Sequence, residues 1–549
     1  MKNVLDVVLC WHMHQPWYRL DGRFVRPWVY LHALKDYADM AAHLELQPKA
    51  RAVVNFSPVL LDQLALYTTA LRRHLADGAP IEDPLLDALT DAPLPEAPEA
   101  RAALVRACLA VDETHVLGRF EPFRRLVEAV RALPEAEHGR YLSDGFLRDL
   151  LVWFHLAWFG EHARRTDPRV GVLLDRGGRF EASHRRRLLE LIAETVEGVV
   201  PRWRRLAEAG QVELAMSPWG HPILPLLVAW RAAREASPGL ALPEGPAYPG
   251  GTDRAGWHVR HGLERFEAHF GRRPAGCWPS EGALSETTVE LLAECGFAWT
   301  ASGGSVLQRS LAVADQHPAC VHRPFTFDGA GIRCFFRDDG LSDLIGFSYR
   351  SWDAGDAVAD LVGHLERIAD HCQGRDPVVA IVLDGENAWE HYPENGYGFL
   401  TRLYQALVDH PRIHPTTFSD HLERGHEPYP LGRVVAGSWV HGHLETWIGA
   451  PGKNRAWTLL AEAKRSLDAQ PEAQDEELLR LLGACEGSDW AWWFDGPSDA
   501  SVVGAFDALY RGLLAELHRS AGLAVPAALD EPLAEGVEGG GVHAMLRGG

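Results

Sequence analysis

The chain lacks an excess of positive charge. Its 54 Lys and Arg stand against 75 Asp and Glu, a formal charge of −21, with a pI near 5.7. That balance argues against nucleic acid or an anionic membrane as partner, because both demand a basic face. The longest apolar runs fall far short of the roughly 20 residues that cross a bilayer. The N-terminus, MKNVLDVVLCWHMHQP, runs directly into a strand-like segment and has no small-residue cleavage site. The eight cysteines (10, 108, 277, 295, 320, 334, 372, 485) form no CxxC pair, and their spacing suggests neither a disulfide framework nor a zinc site. Several lie in apolar segments and read as small buried hydrophobes. There is no internal repeat. A cytoplasmic protein in a reducing compartment is the expectation these absences leave.

What is present suits a large soluble enzyme. Of 549 residues, 46% are apolar and 23% charged, so a sizeable core can form, and a barrel with insertions can absorb such a length. Strand candidates are Val4–Trp11, Ala52–Phe56, Val212–Met216, Gly276–Trp278, Phe297–Ala301, Ile332–Phe336 and Val378–Leu383. Helical patterns separate most of them and hairpin signals are missing, which predicts an α/β fold with a parallel sheet. Seven strands is one short of a standard closed barrel. Between Phe56 and Val212 the sequence carries only helical periodicity, at Leu60–Leu86, Glu99–Leu109, Glu121–Leu133, Asp144–Arg164 and His184–Ala209. This span, about 60–205, is expected to be a helical insertion in a catalytic unit covering 1–425. Pro238–Gly256 is expected to be a loop over the C-terminal face. Residues 426–525 read as a C-terminal helical domain completing the cleft, and 526–549, with GVEGGG at 536–541, as a flexible tail.

The most telling stretch is VVAIVLDGENAWEHYPENG at 378–396. A continuous β-branched run suits a strand buried on both faces, and acids just past its C-terminal end sit where α/β barrels place their chemistry. The same logic recurs in AGCWPSEGAL at 275–284, where Glu281 follows a short strand. Paired carboxyls cleave acetals, and aromatic rings stack on sugars, so Glu281 and Asp384 beside Trp278 and Trp389 form a glycosidase-like pattern. Either acid alone is equally compatible with a helix cap or a surface charge, and any single Trp with core packing. Glu386 and Glu390 lie close enough to Asp384 to raise its pKa. In CWHMHQPWY, His12 and His14 share one face of the first strand. They suit a divalent metal, or sugar hydroxyls together with Gln15, or the orientation of a catalytic carboxyl. His221, in MSPWGHPILPLL, is able to join them.

The ordered set HMHQP, GQVELAMSPWGHPILPLL, GCWPSEGALS, LDGENAWEHYPENG and TWIGAPGKNRAW resembles the five motif regions of glycoside hydrolase family 57, and spans residue 10 to about 460. GSDWAWWFDG at 487–496 is similar to the C-terminal helical region of its α-amylase-like members. The resemblance implies an incomplete (β/α)7 barrel, a C-terminal helical domain, and retaining action on α-glucans with no cofactor and no required metal. By motif, Glu281 matches the nucleophile and Asp384 the acid/base. His12, His14, Gln15, Trp219, His221, Trp278, Glu386, Trp389, Trp447, Lys453 and Asn454 fall in positions resembling substrate-site residues. Where many relatives carry Thr-Asp-Glu after the fifth strand, this chain has Ser302-Gly303-Gly304. The HQP ending leans toward amylase or 4-α-glucanotransferase over branching enzyme. A metal-dependent polysaccharide deacetylase or mannosidase built on His12 and His14 is the reading from another enzyme class.

Overall fold

The computed structural model describes residues 4–327, 329–372, 375–470, 475–496, 498–534 and 536. Seven strands carry the fold: β1 (Leu5–Met13), β2 (Ala52–Phe56), β3 (Val212–Met216), β4 (Gly276–Cys277), β5 (Trp299–Ser302), β6 (Arg333–Phe336) and β7 (Val378–Asp384). They pair in parallel in the order β7-β1-β2-β3-β4-β5-β6. A lone parallel bridge from Arg337 to Ala380 links the far edge to β7, so the seven strands curl toward closure. The short strands Phe325–Thr326, Ile413–Pro415 and Tyr429–Pro430 extend the same sheet to ten, and Phe325–Thr326 runs antiparallel to β6, so the sheet is mixed where a parallel one was expected. All seven lie where the apolar runs predict them. β1 extends two residues beyond the expected Trp11, which puts His12 inside the strand.

Side-chain parity decides what faces inward. Val8, Cys10, Val53, Ala215, Ala301, Phe335, Ala380 and Val382 form the inner cluster, stoppered by Phe418. Their odd-numbered or even-numbered neighbours, such as Val7, Leu9 and Trp11, join the outer layer against the helices. One more step of the inward parity at the C-terminal strand ends gives His12, Asn55, Ser217, Arg337 and Asp384. Five strands therefore aim polar groups at one place.

The segment between β2 and β3 is helical throughout, from Pro58–Asp77 to Ala182–Glu208. Two expected helices break where local chemistry requires it. Gly78, left-handed at φ 78°, ends the first at Asp77, and an extended Phe159–Gly160 splits the Asp144–Trp158 and Glu161–Thr166 helices. The loop expected over 238–256 stops earlier, because a helix begins at Gly251. A Cβ there would lie 1.9 Å from the Leu227 carbonyl oxygen, so only glycine allows this helix to start against its neighbour.

After β7 come the helices Pro451–Asp468, Glu476–Cys485, Asp489–Trp493 and Ala500–Ser520. Glu486 clamps them to the 251–270 helix. Its carboxylate takes Arg254 at 2.6–3.1 Å and His258 at 2.8 Å, and the arginine holds it down at about 2 despite full burial. Of the tail expected to be flexible, 526–534 packs here, with Leu529 and Leu533 buried; most of the glycine-rich stretch at 536–541 lies outside the described residues. The cysteines differ from expectation at one pair. Cys320 and Cys372, 52 residues apart in sequence, form a disulfide, which spacing alone had no means of revealing. Cys10, Cys108, Cys277, Cys334 and Cys485 are free and buried.

Candidate active site

Glu281 stands on a strained turn. It has φ 57° and Gly282 follows at φ 58°, two consecutive left-handed residues directly after β4. A side chain on Gly282 would meet Trp278 at 2.7 Å, so the turn requires its glycine. The strain is held from both sides: the Trp439 main-chain N–H donates to the Glu281 carbonyl (3.0 Å), and the Ser302 hydroxyl donates to the Gly282 carbonyl (2.6 Å). Such over-determined, unfavourable backbone is found preferentially at functional sites. The Glu281 side chain remains 19% exposed, and Trp439 Nε1–H donates to Oε2 at 2.9 Å.

The Ser302-Gly303-Gly304 departure now has a physical reading. Ser302 supports the Glu281 turn, and a Cβ on Gly303 would lie 2.6 Å from Trp439 Cα. The small residues make room for the tryptophan that hydrogen-bonds the carboxylate.

Asp384 ends β7, opposite His12 in the β1 register, and accepts from Asn387 Nδ2 at 2.9 Å. Burial raises its pKa, while the Asn387 hydrogen bond, His14 and Arg337 pull it down. Burial and then the Asp384 charge push Glu281 up to about 8, against the pull of the Trp439 hydrogen bond. The two carboxyls face the same cleft close enough for the Asp384 charge to act on Glu281, and burial lifts both above the ordinary carboxyl range.

A wall of histidines lies beside them. His12 Nε2 and His221 Nε2 are 3.1 Å apart, and the His14 and His221 rings stack at 3.8 Å, 19° from parallel. Asn55 Nδ2 lies 2.7 Å from His12 Nδ1. His221 Nδ1 reaches Ser488 Oγ (3.0 Å) and lies 3.9 Å from Glu281 Oε1. His14 bridges Ser57 Oγ (2.7 Å) and the Asp489 carboxylate (3.0 Å). Burial, reinforced by the neighbouring imidazoles, keeps His12 and His221 well below their ordinary range, hence neutral. His14, His221 and Asp489 are close enough to hold a cation. The ring stack opposes it: in-plane lone pairs of two nearly parallel imidazoles run alongside each other instead of converging.

Several residues expected at the substrate are buried or hydrogen-bonded within the protein. Gln15 Nε2 donates to Glu386 Oε1 (3.3 Å), as does the His14 main-chain N–H (3.2 Å). Glu386 is 2% exposed, and burial followed by the Asp384 and Asp36 charges raises its pKa well above the ordinary carboxyl range. Trp219, Trp278, Trp389 and Trp447 are each at most 1% exposed. Trp219 Nε1 donates to Asp62 (2.9 Å) and Trp389 Nε1 to the Gly385 carbonyl (3.0 Å). Lys453 Nζ donates to the Thr446 carbonyl (2.7 Å), and Asn454 clamps Gly449 through both main-chain groups. Trp457, 8% exposed, donates to the Trp447 carbonyl (3.0 Å) and packs with it.

Sequence reasoning missed Trp439, Arg337, Asn55, Ser57, Ser488 and Asp489. Arg337 was reachable, since RDDG follows β6 as EG follows β4. Ser488 and Asp489 stand in GSDWAWW, a motif already noted, but nothing in its spacing says that it returns to β1.

The sequence model of glycosyl hydrolase family 57 matches residues 8–431. Among solved structures, the chain is similar to a branching enzyme from Thermococcus kodakaraensis at TM-score 0.57 and 17% identity, over 95% of this chain and 90% of that one. The α-amylase AmyC from Thermotoga maritima gives 0.54 and 14%, over 95% and 97%. The 4-α-glucanotransferase from Thermococcus litoralis gives 0.53 and 13%, over 94% and 60%. At such identities these likenesses speak for the fold alone. The family match, covering the barrel and both strand-end carboxyls, is decisive, and the chain belongs to glycosyl hydrolase family 57.

Proposed function

We propose that this α-glucan-active glycosidase cleaves α-1,4-glucosidic bonds by double displacement, as an amylase or 4-α-glucanotransferase. The observation that carries the reading is the pair of strand-end carboxyls: Glu281 on its strained turn and Asp384 at the end of β7, both lifted above the ordinary carboxyl range by burial, with the Asp384 charge acting on Glu281. Glu281 attacks the anomeric carbon as Asp384 gives its proton to the departing glycosidic oxygen, leaving a β-glucosyl ester. Ionised Asp384 then takes the proton of the incoming hydroxyl, whose attack on C1 releases Glu281 and restores the α configuration. The Trp439 N–H favours the ionised, nucleophilic form of Glu281 against the opposing effect of burial.

Neutral His12 and His221 offer hydrogen bonds to sugar hydroxyls without adding charge. Their stacking with His14 favours this role over a metal-dependent deacetylase or mannosidase. We read 1–425 as the catalytic unit and 426–525 as the helical part that closes the cleft, supplying Ser488 and Asp489. We place the enzyme in the cytoplasm, a location that its five free, buried cysteines suit. No helix among the described residues is long and apolar enough to cross a membrane.

Incubation with maltoheptaose and with amylose, followed by product chromatography and branch-point analysis, tests the reading. Shorter maltooligosaccharides alone mean hydrolysis, and a ladder of longer and shorter chains means 4-α-transfer. New α-1,6 branch points would replace the reading with a branching enzyme, and inert glucans would end it.

A further inference from the structure

A second cluster of chemistry-bearing side chains lies away from the cleft, at the opposite end of β7. Cys320, Cys372 and His322 each present a ligand atom, and the three atoms lie within 4.8 Å of one another. Cys320 stands in the loop that follows the 304–314 helix, and Cys372 ends the helix Ala354–His371. His322 Nε2 is held 3.0 Å from Asp338 Oδ2, which leaves Nδ1 as the ring nitrogen for another partner. A carboxylate behind an imidazole is the usual device that fixes the ring and its tautomer at a metal. His322 and Asp338 are 18% and 19% exposed, so the cluster is reached from solvent.

We propose that Cys320, Cys372 and His322 are the ligands of a zinc ion that binds when the Cys320–Cys372 disulfide is reduced, with water as the fourth ligand and Asp338 orienting the imidazole. Tetrahedral zinc with bonds of about 2.0–2.3 Å sets its ligand atoms about 3.5–3.8 Å apart. The three residues already offer ligand atoms within 4.8 Å of one another, so opening the S–S bond and setting the His322 ring toward the two sulfurs are the movements required. In a reducing compartment thiols are the resting form, and a Cys/His cluster in such an enzyme is suited to metal. The chemistry balances. A dithiol reductant gives two electrons and two protons to the cystine, becoming a disulfide itself; zinc then displaces the two thiol protons, which pass to solvent.

The ion would be structural. The His322 carbonyl accepts from Val378 N–H at 3.0 Å, and Asp338 N–H donates to the Ala380 carbonyl at 2.8 Å, so the ligands bracket the first residues of β7. Asp384 lies six residues further along, roughly 20 Å away at strand rise. The site is thus independent of the glucan chemistry proposed above.

The test uses the full chain, reduced with a phosphine that does not bind zinc, supplied with zinc and freed of excess. Zinc per chain is counted by mass spectrometry beside free thiols. One tightly held zinc per reduced chain is expected, with none on the oxidised chain and none on Cys372→Ser. The oxidised and reduced comparison needs no substitution, so it stands even if that variant fails to fold. Asp338→Asn keeps the Oδ1 that accepts from Leu341 N–H, yet should weaken zinc binding about 10–100-fold in competition with a chromogenic chelator. Cobalt in place of zinc should give a thiolate-to-metal charge-transfer band that Cys320→Ser removes. Reduced wild type holding no more zinc than a Cys320→Ser/Cys372→Ser chain would overturn the proposal, as would equal zinc on the oxidised form.

Discussion

The turn at Trp278–Leu284 and the segment Thr446–Trp457 look alike in sequence. Each joins tryptophan, proline, glycine and polar side chains at the edge of the barrel. In three dimensions they behave as opposites. The later segment bonds mostly to itself: Lys453, Asn454 and Trp457 donate to carbonyls no more than ten residues away, and Trp447 is buried. The earlier turn leaves the Glu281 carboxylate with one N–H donor, partial exposure and a repelling neighbour. A polar motif whose atoms close on one another builds structure. A polar motif forced into a left-handed backbone with an under-satisfied carboxyl is ready to react.

Substitutions put that contrast under stress. Glu281→Gln keeps the shape and loses the nucleophile, so kcat on maltooligosaccharides should fall about 10⁴–10⁶-fold with Tm unchanged or slightly raised. Retention of a tenth of wild-type kcat would remove Glu281 from its role. Asp384→Asn should lose about 10²–10⁴-fold on glucans but much less on a glycosyl fluoride, whose leaving group needs no proton. Azide should then trap the β-glycosyl ester as the α-glycosyl azide, and a β-azide would contradict the assignment.

Trp447→Ala belongs to the other side of the comparison. It should cost about 3–5 kcal/mol of stability, read as a lower Tm, while KM and kcat of the folded fraction stay within a few-fold. An unchanged Tm with a raised KM would restore Trp447 to the cleft. Trp439→Phe keeps the ring beside Trp278 (5.2 Å between centroids) and removes the donor to Glu281. Loss of a hydrogen bond to a charged group should lower kcat about 10–100-fold. Without the donor the Glu281 carboxylate is less stable, its pKa rises further, and the pH–rate bell should move to higher pH; a bell that stays in place would mean the N–H does not tune the carboxyl. The smallest effect is expected of Ser302→Ala, which loses one hydrogen bond to Gly282 and about 1 kcal/mol, with a kcat loss under tenfold.

The barrel was legible because its signal is local. Runs such as VVAIVL report two-sided burial directly, and all seven strands follow from them. Helix ends were less so: Gly251 starts a helix because of a contact with Leu227, which no window of sequence contains. Within the site, Glu281, Asp384 and the histidines stood out as chemistry at strand ends. Trp439 and Asp489 did not, because each reaches the site from more than 100 residues away in sequence, Trp439 to Glu281 and Asp489 to His14. An aromatic beside an acid reads as a sugar platform in sequence, and only the tertiary structure shows that Trp219, Trp278, Trp389 and Trp447 lie in the packed interior.

Sequence alone determined the strand order of polar endings, and therefore which side chains arrive at one end of the barrel, because parity along a strand is a covalent property of the chain. Tertiary structure decided which of those side chains touch. It stacked His14 on His221, set Trp439 against Glu281, and brought Cys320 to Cys372 across 52 residues. Contacts of that kind come from packing of segments distant in sequence, and the free energy that selects them is shared across the whole core instead of residing in any motif.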